Sequence, residues 1–122
     1  MKKATISMAI LGGAIIAGSC MSASNNNDRL IKKYLPEAVI VDVRTVGEYE
    51  ARHIPGAINI PVDILADHVQ QLGAVDEPII LYCRSGSRAH IADQILRDMG
   101  YTKVAVGGSL TKMEKLIGSK NR

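Results

Sequence analysis

The sequence predicts a small three-layer α/β domain in which a mainly parallel central sheet has helices on both faces. Short apolar runs rich in β-branched residues alternate along the chain with segments of helical periodicity. The connections between the apolar runs are too long for hairpins, so they must be crossovers between parallel strands. At 122 residues the chain is long enough for a single hydrophobic core.

The first half of the chain contains two predicted helices and two predicted strands. A short amphipathic helix starts at Asp28, whose side chain suits the N-cap position, and ends before the next proline. Val39 to Val43 is apolar on both faces, which is typical of a strand buried in a parallel sheet. Val46 to Arg52 predicts a brief helix. Ile54 to Ala57 predicts a turn that leads into a small strand ending at Ile60.

The second half of the chain continues the alternation of helix and strand. Val62 to Leu72 carries apolar residues at helical spacing, and Ile79 to Tyr82 is a second fully apolar strand. A helix that begins at Ser87 or Arg88 and runs to about Met99 follows, and then a third short strand, Val104 to Val106. The glycine pair Gly107-Gly108 is expected to turn the chain into a last helix, Leu110 to Ile117.

The amino terminus resembles a secretory signal peptide over residues 1–19. Two lysines precede an uncharged, mostly apolar run from Met8 to Gly18. This run is too short to span a membrane, which takes about 20 apolar residues. Residues 20–27 would then form a polar linker and residues 28–122 the folded domain, and the protein would be periplasmic or otherwise exported.

Cys20 ends a segment, Ile16 to Cys20, that resembles a bacterial lipobox, at which the cysteine is lipidated and becomes the first mature residue. Ala17 stands where such signals usually have leucine. Two outcomes stay open: a lipoprotein anchored to the membrane through Cys20, or a freely soluble periplasmic protein. In both cases Cys83 has no disulfide partner and is free for chemistry.

The composition argues against nucleic acid as a partner. The formal charge of +3 falls to +1 without Lys2 and Lys3, Trp and Phe are absent, and the four tyrosines are scattered. A membrane would be contacted only through a lipid anchor. No spacing of His, Cys and Asp resembles a metal site, so no metal is expected.

A loop that begins at Cys83 carries the predicted chemistry. Ligand sites of parallel sheets lie beyond the carboxyl ends of the strands, where Asp42, Cys83 and Gly107 all fall. A thiol attacks as its thiolate, and a loop curled around the sulfur would point the N–H groups of residues 84–88 at it. Gly86 permits the curvature, and the next helix adds a positive partial charge. The same cradle would bind an anionic substrate through Arg84, Ser85, Gly86, Ser87 and Arg88.

A small anionic sulfur donor suits this cradle. In the expected cycle the Cys83 thiolate attacks the outer sulfur of thiosulfate, sulfite leaves, and a persulfide stays on the cysteine. Cyanide or a thiol then accepts that sulfur. Because no step requires a metal or a protonating base, no cofactor is expected.

Four stretches resemble the motifs of the rhodanese family, in the family's order. They are Val41-Asp42-Val43-Arg44 with Glu48-Tyr49; His53-Ile54-Pro55-Gly56-Ala57 with Asn59-Ile60-Pro61; Tyr82-Cys83-Arg84-Ser85-Gly86-Ser87-Arg88; and Gly100-Tyr101 with Val104, Gly107 and Gly108. The resemblance implies a rhodanese-like fold with Cys83 as the catalytic residue. The exported single-domain form is similar to the phage-shock type of periplasmic thiosulfate sulfurtransferase.

Other functions are compatible with the same cysteine. One is a non-enzymatic persulfide carrier or partner-binding module. Another is a small phosphatase or arsenate reductase, but those related loops have five residues between Cys and Arg, whereas four separate Cys83 from Arg88. The shorter ring favours sulfur over the bulkier phosphate. A buried structural cysteine would need neither the flanking arginines nor the glycine.

Several charged residues near the predicted site have structural interpretations. Asp42 is expected to be a carboxylate at the core edge that pairs with an arginine, with Arg44 as the candidate, and the two residues would support the site. Glu48 is either an exposed helix charge or a support for neighbouring loops. His53 is expected to pack within its loop. Arg52 stands where the family often has glycine, which leaves the geometry of that loop open.

Overall fold

The computed structural model describes residues 26–120, with side chains described for residues 26–118. The predicted signal peptide, Cys20 and most of the predicted linker lie outside the described residues. The first described element is helix α1, which is helical over 26–34. Asp28 is therefore inside this helix, and its predicted N-cap position is wrong. Packing of α1 on the domain extends the helix over two asparagines of low helix propensity, and Asp28 instead pairs with Lys112 at 2.9 Å.

Four parallel strands form one sheet in the order β2-β1-β3-β4. The strands are β1 Val39–Asp42, β2 Ile58–Asn59, β3 Ile79–Cys83 and β4 Val104–Ser109. Side chains of β3 alternate between the two faces, as in any strand. Ile79, Leu81 and Cys83 belong to one core cluster. Ile80 and Tyr82 belong to the other.

Helices cover both faces of the sheet, which confirms the predicted three-layer α/β fold. The helix α3 (Ser87–Asp98) and the helical segment Val62–Leu72 pack on one face, while α1 and α4 (Leu110–Lys120) pack on the other. A short helix, α2 (Val46–Ala51), lies between β1 and β2 and buries no side chain fully. Within residues 26–120, no helix has the length and apolar character needed to cross a membrane.

The segment Val62–Leu72 is a 3-10 helix rather than the regular helix suggested by its apolar spacing. In a 3-10 helix, side chains three residues apart lie above one another. The pairs Val62/Leu65 and Val69/Leu72 have this spacing, and His68 between them departs from helical geometry with φ −126° and ψ 20°. The segment is therefore two tight turns separated by a kink.

The strand β4 runs three residues further than predicted, to Ser109, so the predicted turn at the glycine pair is wrong. A β-bulge in this strand skips Gly107 and places Gly108 opposite Tyr82. A Cβ atom at Gly107 would collide with the sulfur of Met113, so a larger residue here would force that buried side chain of α4 to move. The bulge brings Gly108 to the carboxyl edge of the sheet.

Candidate active site

Cys83 is the last residue of β3, at the carboxyl edge of the sheet. Its side chain belongs to the core cluster beneath α3 and is 0% exposed. The sulfur nevertheless has a polar partner, because the Gly86 N–H donates a hydrogen bond to Cys83 Sγ at 2.8 Å. The cysteine is therefore a buried thiol held by a main-chain donor.

Gly86 can make this hydrogen bond because its backbone is left-handed, with φ 103°. Gly86 is also buried, and a Cβ atom placed on it would lie 3.6 Å from Cα of Gly108 at the β4 bulge. The next residue, Ser87, begins α3. The positive end of this helix therefore lies at the loop that bonds the sulfur.

The remainder of the cysteine loop is more open than predicted. The N–H groups of residues 84–88 were all expected to face the sulfur, but within residues 26–120 only that of Gly86 donates to it. The side chains of Arg84, Ser85 and Ser87 are exposed, and the two serine hydroxyls lie 3.3 Å apart. The loop thus has a closed base, Cys83 and Gly86, and an exposed rim formed by Arg84, Ser85 and Ser87.

The two arginines of the loop have different surroundings. Arg88 forms a two-pronged ion pair with Glu48, with Nη1 2.7 Å from Oε1 and Nη2 3.0 Å from Oε2. The hydrogen bond to Glu48 raises the pKa of Arg88. Arg84 is exposed, and its guanidinium makes no hydrogen bond or ion pair within the described chain. The sequence alone did not separate these two residues.

Glu48 is a residue of this site that was not assigned to the loop from sequence. Its carboxylate accepts hydrogen bonds from the Thr45 N–H and hydroxyl, both at 3.1 Å, and the Glu48 N–H donates to the Thr45 hydroxyl. These contacts form a capping box at the start of α2. The hydrogen bond from Arg88, followed by that from Thr45, lowers the pKa of Glu48 to about 2. Of the two interpretations left open, Glu48 supports a neighbouring loop.

A buried ion pair ends β1, close to Cys83. Asp42 is fully buried and lies beside Tyr82 in the sheet register. The predicted pairing with Arg44 is present: Nε lies 2.9 Å from Oδ1 and Nη2 lies 2.6 Å from Oδ2, and the Arg44 N–H donates to Oδ1. The hydrogen bond to Asp42 raises the pKa of Arg44. Arg44 also donates to the Arg52 carbonyl at 2.6 Å, which anchors the next loop.

The loop around Arg52 is held by contacts at both ends. Arg52 forms an exposed ion pair with Glu114 of α4, with Nε 3.0 Å from Oε2. His53 stacks on Tyr49 with ring centroids 3.7 Å apart, and its Nδ1 lies 2.8 Å from the Tyr49 carbonyl. His53 therefore packs within its loop, as expected. Among the residues that the structure describes, no group of three or more His, Cys, Asp or Glu side chains is arranged to hold a metal.

A model of the rhodanese-like domain matches residues 26–112 of this chain. The chain belongs to the rhodanese-like domain family. The match covers every strand of the sheet, the cysteine loop and the residues that form both ion pairs at the carboxyl edge. The family resemblance inferred from the four sequence motifs is thereby confirmed.

Rhodanese-like relatives of the chain occur in proteins of different lengths. The chain is 34% identical over 71 residues to the thiosulfate sulfurtransferase PspE of Escherichia coli, covering 57% of this chain and 68% of that protein. It is 33% identical over 91 residues to the thiosulfate:glutathione sulfurtransferase of Saccharomyces cerevisiae, covering 64% and 65%. It is 39% identical over 92 residues to an HTH-type transcriptional regulator of Mycobacterium tuberculosis, covering 74% of this chain but only 40% of the regulator.

Two solved structures with this fold illustrate the match. A rhodanese with anions from E. coli is 32% identical with a TM-score of 0.59, and the match covers 62% of this chain and 89% of that chain. The human single-domain sulfurtransferase TSTD1 is 27% identical with a TM-score of 0.62, covering 70% and 89%. Sulfur transfer is the general chemistry that these relatives support for the rhodanese-like domain described above.

Proposed function

We propose that this rhodanese-like domain is a sulfurtransferase that moves sulfane sulfur from thiosulfate, or a similar donor, to cyanide or a thiol through a persulfide on Cys83. The observation that carries the proposal is the Gly86 N–H donating to Cys83 Sγ at 2.8 Å. A hydrogen bond to an anionic acceptor is stronger than one to a neutral acceptor. The contact therefore places a main-chain donor where it can stabilise negative charge on this sulfur during the reaction.

The proposed first half-reaction is a displacement at sulfur. The Cys83 thiolate, formed when the thiol proton passes to solvent, attacks the outer sulfur of thiosulfate and forms a new S–S bond. The S–S bond of thiosulfate breaks, and sulfite leaves with the bonding electron pair. The cysteine then carries one extra sulfur with a negative charge. The positive end of α3, which starts directly after Gly86, can stabilise that charge.

The second half-reaction returns the enzyme to its starting state. Cyanide attacks the outer persulfide sulfur and leaves as thiocyanate, or a thiolate attacks and leaves as a new persulfide. In both cases the S–S bond on Cys83 breaks and its electron pair stays on Sγ as the thiolate. The cycle needs no net oxidant or reductant because sulfur is only passed from donor to acceptor.

Access to the sulfur requires part of the cysteine loop to move. Cys83 is 0% exposed, so a donor cannot reach Sγ while the loop is closed. The rim residues Arg84, Ser85 and Ser87 are exposed, and displacing exposed loop residues costs less free energy than opening the packed core. We expect the rim to move while the two ion pairs keep the surrounding framework in place.

Sulfite release from thiosulfate in the presence of cyanide tests the proposed function. Cys83→Ser should abolish release, whereas Cys20→Ser, the matched control at the second cysteine of the chain, should retain it. Activity that persists in Cys83→Ser would contradict the proposal. One loading event without repeated release would instead identify a persulfide carrier, and hydrolysis of an aryl phosphate would identify a phosphatase.

We also propose that the protein is exported and that its signal peptide is removed. The product would be either a lipoprotein anchored through Cys20 or a soluble periplasmic protein. The proposal rests on the apolar run and lipobox-like residues of the sequence. The intact mass of the protein, purified from a bacterial envelope fraction, tests this proposal. A mature chain that begins at Cys20 with added acyl mass identifies the lipoprotein, and an uncleaved chain in the cytoplasm contradicts export.

A further inference from the structure

The charges of the domain are separated between the two faces of the sheet. Helices α1 and α4, which cover one face, carry five cations and two carboxylates among their described residues. On the other face, the two arginines of α3 are each paired with a carboxylate. The segment Val62–Leu72, the turn after it and α3 together add five exposed carboxylates: Asp63, Asp67, Asp76, Glu77 and Asp98. The composition conceals this separation, because positive and negative charges nearly cancel over the whole chain.

The cations of α1 lie on the side of the helix that faces away from the sheet. Ile31 is fully buried in the core cluster beneath this helix. Arg29 and Lys33 are each two residues from Ile31, which places them about 200° around the helix, on its outer side. These two residues and Lys32 are exposed. Within the described chain none of the three has an ion-pair partner, so their charges face solvent.

Helix α4 continues this positively charged surface. Lys112 pairs with Asp28 at 2.9 Å, which holds α4 beside α1. The carboxylate of α4, Glu114, pairs with Arg52. Lys115 is exposed and has no ion-pair partner among the described residues. The five cations of the two helices, called the basic face below, come from opposite ends of the described chain and are brought together only by folding: Arg29, Lys32, Lys33, Lys112 and Lys115.

We propose that the basic face docks on an anionic phospholipid surface. This inference extends the proposed export and does not depend on sulfurtransfer. Five residues separate Cys20 from the first described residue of α1, and such a segment reaches no further than about 20 Å. A lipid on Cys20 would therefore keep α1 close to the bilayer. The exposed side of α1 is basic, which complements the charge of anionic headgroups.

Nucleic acid fits the basic face less well than phospholipid does. Proteins that bind single strands combine cations with aromatic side chains on which the bases stack. Tyr34 is the one aromatic residue of the described parts of α1 and α4, and it packs against the core cluster instead. The basic face thus supplies charge without a surface for stacking, as a headgroup layer requires.

Docking through the basic face would orient the active site. The sheet would lie roughly parallel to the bilayer, with the exposed carboxylates of the opposite face directed away from it. The carboxyl edge of the sheet, where β3 ends at Cys83, would then open to the side rather than into the headgroups. A water-soluble donor could reach the cysteine loop while the domain stays at the surface.

Cosedimentation of the full chain with vesicles tests the proposal. In a Cys20→Ser background, binding is measured to phosphatidylcholine vesicles with and without about 30% phosphatidylglycerol. A Lys or Arg close to an anionic leaflet strengthens binding about fivefold. Arg29→Gln should lower the partition coefficient for anionic vesicles about three- to fivefold, and the triple variant Arg29→Gln/Lys32→Gln/Lys33→Gln about a hundredfold. High salt should remove these differences.

Arg97→Gln is the matched control. It removes the same charge from an exposed arginine of α3, on the opposite face, and should change the partition coefficient less than about 1.5-fold. Residues 1–19 are identical in all variants, so their own affinity for membranes cancels when variants are compared. With neutral vesicles the parent and every variant should bind equally.

The proposal is overturned if the triple variant binds anionic vesicles as tightly as the parent, or if Arg97→Gln and Arg29→Gln lose binding equally. A parent that ignores anionic vesicles but binds a polyglutamate peptide or duplex DNA through these residues would also overturn it, because the face would then serve another polyanion. The vesicle assay requires neither turnover nor processing. Its failure therefore leaves sulfurtransfer and export untouched, and a parent that releases no sulfite can still bind the vesicles.

Discussion

Two ion pairs lie at the carboxyl edge of the sheet, and they differ in burial and in what they connect. Asp42 and Arg44 are almost completely buried and belong to one stretch of chain. Glu48 and Arg88 keep 28% and 31% of their side chains exposed and join segments 40 residues apart. The first pair supports the framework beneath the site, and the second ties the cysteine loop to that framework. A site can thus be rigid at its base while its rim stays free to admit substrate.

Breaking the buried Asp42–Arg44 pair should give the largest loss of stability. Asp42→Asn leaves the Arg44 guanidinium buried without a counter-charge, which costs about 3–5 kcal/mol. Urea unfolding measures this loss. Asp93→Asn is the matched control, because Asp93 pairs with Arg97 on the exposed surface of α3 and its loss should cost about 0.5 kcal/mol or less. Equal losses for the two variants would contradict the distinction between framework and surface.

A substitution of Gly86 at the base of the cysteine loop should have the next largest effect, on both stability and activity. Gly86→Ala forces a side chain into a left-handed backbone with φ 103°, which costs about 1–2 kcal/mol and displaces the N–H that bonds the sulfur. Sulfite release should therefore fall sharply. Gly47→Ala in α2 is the control, because nothing lies within 4 Å of its added methyl group and alanine favours helix. Normal activity in Gly86→Ala would show that the N–H contact is dispensable.

The partly exposed Glu48–Arg88 pair should make a smaller, pH-dependent contribution to the free energy of unfolding, of about 1 kcal/mol or less. The folded state lowers the pKa of Glu48 from 4.5 to about 2. Stability from this group is therefore fully present above pH 4.5 and is lost as the pH falls through about 2. The difference in unfolding free energy between the parent and Glu48→Gln should shrink over that interval. A constant difference would contradict the assigned ion pair.

The exposed pair between Arg52 and Glu114 should give the smallest effect. Its arginine is 63% exposed, so solvent and salt screen the attraction. Arg52→Ala should change the unfolding free energy by less than about 0.5 kcal/mol and leave sulfite release unchanged. A large loss of activity would mean that this loop has a role at the site beyond its anchoring by Arg44.

The sequence predicted the framework better than the contacts between segments. The strands β1 and β3 were recognisable because side chains on both faces of each pack into the core, which requires a mostly apolar run. Cys83 and Gly86 were recognisable as a loop between a buried strand and a helix. The Asp42–Arg44 pair could be anticipated because its members are two residues apart.

Features that depend on distant parts of the chain were not predictable. The Thr45-x-x-Glu48 pattern indicates a capping box, but nothing in it reveals that Arg88 would complete the arrangement. The glycines of β4 have the composition of a turn, and only pairing with β3 shows that they continue a strand. Apolar residues spaced three and four apart fit both a regular helix and the kinked 3-10 segment over Val62–Leu72.

Intact mass after incubation with thiosulfate tests most directly whether Cys83 accepts sulfur. In a Cys20→Ser chain we expect a gain of one sulfur atom, mapped by peptide analysis to Cys83 and removed by cyanide as thiocyanate. The same chain with Cys83→Ser should gain nothing. A parent that gains no sulfur, or a gain that persists without Cys83, would contradict the account.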